Sequence, residues 1–586
     1  MNSRFKIAGT VLALLLPGGC GHVRALKSRA HRLDEGLVEA TDNPQVAVYS
    51  ITPRSPSEVT IDFGLDERYG LRTWSRHADG NAPVRIFVAG MLADATYHMR
   101  ARIHFADGTI VQDTDHVFHT APLPLRMRDW RIQSSPRGRA GREAGLELLN
   151  SSTGVKSQIA IVDLKGRILW SYEVPERQAM REIVSLRRRE RALSRIAGWF
   201  GWKLRSGPLR DALAKTAQRE AGTVQMSRIA SASDVGFINP VKLLPNGDLL
   251  LLYGLSSQSL LSGPSPEGTF SFVREINLAG ETVRQITAEQ LNEKLHASGH
   301  RELQLQNFHH DVEVLPNGHW IVIANQFRPG SDPDQGQTDI FGDVLIDLDN
   351  NLNPVWTWST FDHLDINRRP MWSPDWTHSN AVIYTPDDGN LLLSMRHQSW
   401  IIKIDYRNGS GTGKVLWRLG AGGDFRLLNG RDPEDWQYAQ HLPSILGARS
   451  AGVFYLTMVD NGDNRPTARG GRCVDPGSGT AGGVPCYTTI PVFEVDERAM
   501  TTKIVARKVL PPDEYSNWGG GTDVWPDGSI EATLSSEGNH GKPGMDSTVM
   551  ELTPGPAPQE IWEMETIGTP IYRAERIGSP YPGVQW

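Results

Sequence analysis

The chain has 586 residues, too many for one ordinary hydrophobic core, so several domains or a large repeat architecture are required. A formal net charge of −6 gives no basic footprint and excludes a nucleic-acid partner held by electrostatics. Glycine (58) and proline (37) are plentiful and apolar runs are short, which predicts an all-β protein rich in turns.

At the N-terminus Arg4 and Lys6 precede an apolar run over residues 7–16, and Gly18 and Gly19 lead into Cys20. That order reads as an export signal over residues 1–20, with the body of the chain in the periplasm or cell envelope. Lipidation of Cys20, cleavage without a lipid, and retention as an uncleaved anchor all stay open, because Pro17 departs from the usual lipoprotein pattern. Any membrane anchorage would run through this segment, since no other run is long enough to span a bilayer. An exported chain makes Cys473 and Cys486, 13 residues apart, a disulfide candidate. A zinc site there lacks further ligands nearby.

Residues 44–122 alternate apolar and polar types in short runs, at 58–63, 84–88, 97–105 and 116–119, which predicts a small β-sandwich. The stretch 93–102, followed by Asp107 and Gly108, resembles a fibronectin type III domain near its later strands.

From about residue 145 to 566 a repeat is present. An apolar strand, a turn and a second apolar strand recur around Gly247, Gly318, Gly389 and Gly528, at intervals of 71, 71 and 139, and the missing member falls in 444–458. Six second halves follow, at 159–170, 272–286, 344–358, 401–417, 492–509 and 549–562. A period near 70 with four strands per unit predicts a six-bladed β-propeller. Residues 178–222 interrupt the first unit with a basic helical pattern, in which Arg187, Arg188, Arg189, Arg191 and Arg195 accompany Leu186, Leu193, Ile196 and Phe200. That helix suits either an anionic membrane face or a bracket packed on the propeller.

In a propeller the first strand of each unit is innermost. His309, His310 and Asp311, then His378, Ser379 and Asn380, then Gln440 and His441 occupy equivalent positions in three successive units, and Arg396 joins them from the adjoining strand end. Nothing in the chain matches a phosphate loop or dinucleotide fingerprint, so no nucleotide donor and no cofactor is expected. Histidines without an obvious carboxylate partner do not form a hydrolytic triad. Three of them could ligate zinc, yet Arg396 would repel a cation, so no metal is assigned. A neutral imidazole, with a reference pKa of about 6.5, is a competent nucleophile, and Arg396 can neutralise an anion in transfer.

The motifs Trp376-x-His378-x-Asn380-Ala381, Leu393 to Gln398, Ile402 to Asp405, Trp417 to Gly420, Gln440-His441 and Asn307 to Asp311 resemble the bacterial arylsulfate sulfotransferase family. The resemblance covers about residues 145–566. It implies a six-bladed propeller that moves a sulfuryl group from a phenol ester to a phenol through a sulfohistidine, without a nucleotide donor. His441 matches the sulfurylated histidine. Arg396, His378 and Asn380 match residues that hold the sulfuryl oxygens, and one of His309 or His310 matches the remaining histidine. His310 is favoured because it lies five residues before Leu315, as His441 lies five before Leu446, whereas the His-x-Asp pattern favours His309. Small aryl sulfates and phenols are the implied partners, and a homo-oligomer is neither required nor excluded. Two readings compete: a binding or scaffold propeller without turnover, and a metal-dependent propeller hydrolase.

Overall fold

The computed structural model describes residues 34–136, 145–153, 156–174, 235–256, 270–328, 340–371, 373–450, 452–478, 480, 482–536 and 546–586. The expected signal segment with Cys20, and the basic stretch 178–222, lie outside these residues. Two compact units divide the chain. One holds the described residues up to Ala40 with Ala47–Val88 and Thr96–His119; the other holds Thr41–Val46, Ala89–Ala95 and Thr120–Trp586.

The first unit has two antiparallel sheets. Leu37–Ala40, Ala47–Ile51 and Val84–Val88 make a three-stranded sheet, so pairing begins ahead of the expected boundary at residue 44. The second sheet is built on Ser57–Gly64 and Thr96–Phe105. Alternation puts Val59, Ile61, Met99, Ala101 and Ile103 into its core with no exposed surface. Tyr49 joins the layers, accepting from the Ala101 N–H at 3.2 Å and donating to Asp113 at 2.7 Å.

Among the described residues the second unit contains six sheets, antiparallel except where Arg426–Leu427 adds to Thr501–Val509 in parallel. The first four begin at Val235–Leu243, Leu305–Val314, Ser379–Thr385 and His441–Ser450, and the fifth at Gly521–Val524. The first three run outward through three more strands and the fourth and fifth through four, and the turn after the first strand closes on a glycine such as Gly247, Gly318 or Gly528, with φ of 83, 85 and 84°. That left-handed backbone suits glycine because it carries no Cβ. Between sheets the strands are buried on both faces, which is why Leu249, Leu250, Leu251 and Leu252 are all apolar and fully covered.

The sixth sheet begins with Ile571–Ile577, which pairs with Leu146–Thr153, and continues through Lys156–Asp163 to Ile168–Glu173. The expected end at residue 566 therefore omits a strand, because its partner comes from the opposite end of the chain. Ile168–Glu173 is the outer strand of that sheet and Val235–Leu243 opens the next, so 178–222 falls between two sheets along the chain and not inside one unit. The first strands lie side by side in cyclic order, and Ile571–Ile577 returns beside Val235–Leu243. They surround a cavity of about 1030 Å³ to which Lys242, Glu313, Tyr384, Ser444, Asp523 and Glu575 contribute, one from each sheet.

Candidate active site

The first strands of the second, third and fourth sheets all lose regular register where the histidines stand. The irregularities fall between Phe308 and Val312, Ser379 and Ala381, and His441 and Ser444. A bulge re-aims side chains that a regular ladder would alternate. His310 (φ 61°) and His378 (φ 47°) occupy left-handed backbone, which costs energy for a residue with a Cβ and tends to gather at functional sites. The Arg396 N–H donates to the His378 carbonyl at 3.1 Å, which brings the guanidinium to the same end of the hairpin as the imidazole.

The rings form one continuous group. His310 stands 4.5 Å from His378, and His378 4.5 Å from His397, between centroids. Tyr572 links His310 to His441 at 5.9 Å from each. His309 meets His310 through their Nδ1 atoms at 2.7 Å, but its Nε2 lies 3.3 Å from Asp343. Asp343 in turn accepts from Thr377 Oγ1 at 2.7 Å and the Ser379 N–H at 2.6 Å. Of the two neighbours, His310 is thus the one packed against His378, while His309 belongs to the buried Asp343 network.

His441 is buried, and its Nδ1 lies 2.7 Å from Asn461 Oδ1. The Asn461 amide donates to the carbonyls of Ser516 (2.9 Å) and Gly519 (3.1 Å), so its oxygen must face the imidazole. Nδ1 therefore carries the proton, and Nε2 keeps a lone pair that meets only the Gly519 N–H at 3.3 Å. Burial, followed by the charge of Arg396, holds the imidazolium form far below its usual range. The ring is neutral at working pH and presents a nucleophilic nitrogen.

Arg396 is held by three acceptors: Asp463 at 2.5 Å, the Asn517 carbonyl at 3.1 Å and His397 Nε2 at 2.7 Å. An arginine can only donate, so His397 accepts at Nε2 and carries its proton on Nδ1, which donates to the Asp375 carbonyl at 2.5 Å. Burial, with His378 and Arg396 beside it, pushes His397 down to about 3. Asp463 also accepts from the Tyr515 hydroxyl, and burial lifts it to about 6 against the pull of Arg396. His378 is paired through Nδ1 with Asp375 at 2.5 Å. Burial alone would raise Asp375, but the charge and hydrogen bond of His378 carry it down. Asp375, His378 and His397 are close enough together to be considered as metal ligands. Both nitrogens of His397 are already engaged, one by a guanidinium, so the donor set does not suit a cation.

Asn380 is fully buried; its amide donates to the Gln440 carbonyl at 2.7 Å and its own carbonyl accepts from Arg573. In this state it ties the third sheet to the fourth. Cys473 and Cys486 are bonded, with Cα atoms 4.9 Å apart. Their loop carries Asp475, which accepts from the Asn517 side chain at 3.2 Å. Asn517 also supplies one of the Arg396 acceptors, so the bridged loop reaches the site through Asp475 and Asn517.

Sequence reasoning brings His441, Arg396, His378, His310 and Asn380 to one place, and the structure adds Asn461, Asp463, Tyr572 and Arg573. Asn461 and Asp463 sit in Asp460-Asn461-Gly462-Asp463, which reads as a plain turn. Tyr572 and Arg573 lie beyond the expected end of the repeat.

The profile of the Arylsulfotransferase (ASST) family matches residues 137–548. No curated protein matches. Among solved structures, the β-fructofuranosidase of Microbacterium saccharophilum K-1 shares 9% identity over 54% of this chain and 70% of its own, with a TM-score of 0.27. NanB with Optactamide shares 7% over 89% and 84%, with a TM-score of 0.30. Likenesses this slight carry no argument. The imidazoles of His310, His378, His397 and His441 thus gather with the guanidiniums of Arg396 and Arg573 on an all-β unit. The chain belongs to the arylsulfotransferase family, which makes it a sulfotransferase acting between small aryl donors and acceptors.

Proposed function

We propose that the six sheets are the blades of a β-propeller and that the chain transfers a sulfuryl group from an aryl sulfate to a phenol by double displacement, with no nucleotide sulfate donor. The observation that carries this is the state of His441: neutral, buried, and fixed in the tautomer that leaves Nε2 unprotonated. In the first half-reaction the Nε2 lone pair forms a bond to sulfur, the sulfur–aryloxygen bond breaks, and its electron pair leaves on the phenolate. The sulfurylated ring keeps its Nδ1 proton and becomes cationic, so Asn461 Oδ1 accepts from a stronger donor than in the resting enzyme. In the second half-reaction an acceptor phenolate attacks sulfur and the pair returns to Nε2.

Arg396 supplies positive charge and donors to the sulfuryl oxygens, and His378, His310 and Asn380 join it around the site. The export signal supports a place in the periplasm or cell envelope, with Cys20 as the residue for a lipid anchor. Rapid quench with excess aryl sulfate followed by peptide mass mapping should find a sulfuryl adduct on His441. His441→Asn should lose both phenol release and the adduct. Full activity in that variant, or sequential kinetics without an adduct in the unaltered enzyme, would refute the mechanism.

A further inference from the structure

Tyr572 has no part in the chemistry described so far. Its ring stands edge-on to both His441 and His310 at 5.9 Å, and stacks on the half-buried Trp518 at 6.3 Å. The residue is 4% exposed, and its hydroxyl finds no well-formed hydrogen bond among the described residues. Buried hydroxyls are nearly always satisfied, so one left open beside a nucleophile marks a place where a ligand supplies the partner. Arg573, whose guanidinium lies 5.2 Å above the ring, offers only donors and cannot take the phenolic proton. That proton stays available to a molecule held between the two imidazoles, and the stacked Trp518 adds aromatic surface for an aryl ring.

We propose that the Tyr572 hydroxyl donates a hydrogen bond to the aryl oxygen of the substrate, holding the phenolate as it leaves sulfur and the acceptor oxygen as it attacks. The proposal rests on the reading of His441 as nucleophile and adds a group that acts on the leaving atom, where Arg396 acts on the sulfuryl oxygens. As the sulfur–oxygen bond breaks, the electron pair settles on the aryl oxygen and the Tyr572 O–H points its proton there. The proton is not transferred: burial, opposed by Arg573 and Arg396, pushes Tyr572 up to about 12, above the ~10 of an ordinary phenol. The departing phenolate takes its proton from water outside the pocket.

The test is Tyr572→Phe assayed with two donors, 4-nitrophenyl sulfate, whose phenol is acidic, and phenyl sulfate, whose phenol is a poor leaving group. A donor to the leaving oxygen matters most where charge on that oxygen is least stable. The variant should lose roughly 100-fold in kcat/KM with phenyl sulfate and at least ~10-fold less than that with 4-nitrophenyl sulfate. Its melting temperature should stay close to that of the unaltered protein, because among the described residues the hydroxyl proton meets no acceptor and only the Arg573 guanidinium approaches the oxygen. Equal losses with both donors would assign the hydroxyl to the sulfuryl oxygens and overturn the proposal. No loss with either, or a lowered melting temperature, would overturn it as well. The His441 adduct, sought in parallel in the unaltered enzyme, separates the two readings: without it the nucleophile assignment fails, and with it and equal losses only the role of Tyr572 fails.

Discussion

Asn461→Ala isolates the residue that fixes the tautomer of His441, the proposed nucleophile. The substitution removes three hydrogen bonds: the one from His441 Nδ1 at 2.7 Å and the two from the Asn461 amide at 2.9 and 3.1 Å. At about 1 kcal/mol each, stability should fall by roughly 3 kcal/mol, seen as a lower melting temperature. The kinetic effect has a separate origin. A buried Nδ1–H without an acceptor costs about 1–3 kcal/mol, and the ring escapes that cost by moving its proton to Nε2, where it blocks the lone pair. Taking about 2 kcal/mol as the tautomer preference that is lost, and 1.36 kcal/mol per decade, the first half-reaction should slow about 30-fold. Burst-phase release of phenol from a chromogenic aryl sulfate reads that step directly. The substitution should not restore protonation at neutral pH, because the Asn461 hydrogen bond raises the pKa of His441 and its loss lowers it further. The loss should therefore be constant from pH 6 to 9. A variant that melts earlier but releases phenol within twofold of the normal rate would refute the tautomer argument.

Arg396→Ala should slow turnover by roughly 100- to 1000-fold, the range for one lost oxyanion donor, measured as kcat with saturating aryl sulfate. Asp463, lifted to about 6, takes up a proton as the pH falls from 7 to 5 and stops neutralising Arg396. The pocket becomes more positive and should hold the sulfate ester more tightly, so KM should fall across that window. Asp463→Asn should show a flat KM instead. Opening the Cys473–Cys486 bridge by Cys473→Ser should cost about 3 kcal/mol on the chain-entropy model, and thermal unfolding of the two proteins side by side measures it.

The sheets were legible because their signals are local. A turn that needs glycine recurs 71 residues apart, and strands buried on both faces write themselves as unbroken apolar runs such as residues 249–252. The hairpin bearing His378 and Arg396 could be folded on paper for the same reason: Asp388 and Gly389 place its turn, and the two strand ends then have to meet. The strand Ile571–Ile577 could not be found that way. Its pairing with Leu146–Thr153 joins residues more than 400 positions apart, and no pattern within either segment names the other. Asn461 was hidden for a different reason, since its residue type is what any turn would choose and only the His441 ring beside it gives it a role. The choice between His309 and His310 was likewise open on spacing alone, because neighbouring residues can both face a channel once the strand is bulged.

The pairing of Ile571–Ile577 with Leu146–Thr153 also sets when the enzyme can exist. Synthesis runs from the N-terminus, so the histidines of the second to fourth sheets emerge well before Tyr572 and Arg573. A chain halted anywhere before residue 571 carries His441 and Arg396 but lacks the wall that stands between His441 and His310. Completion of the site is thereby tied to arrival of the last strand, and on the proposed mechanism a half-made chain is inert.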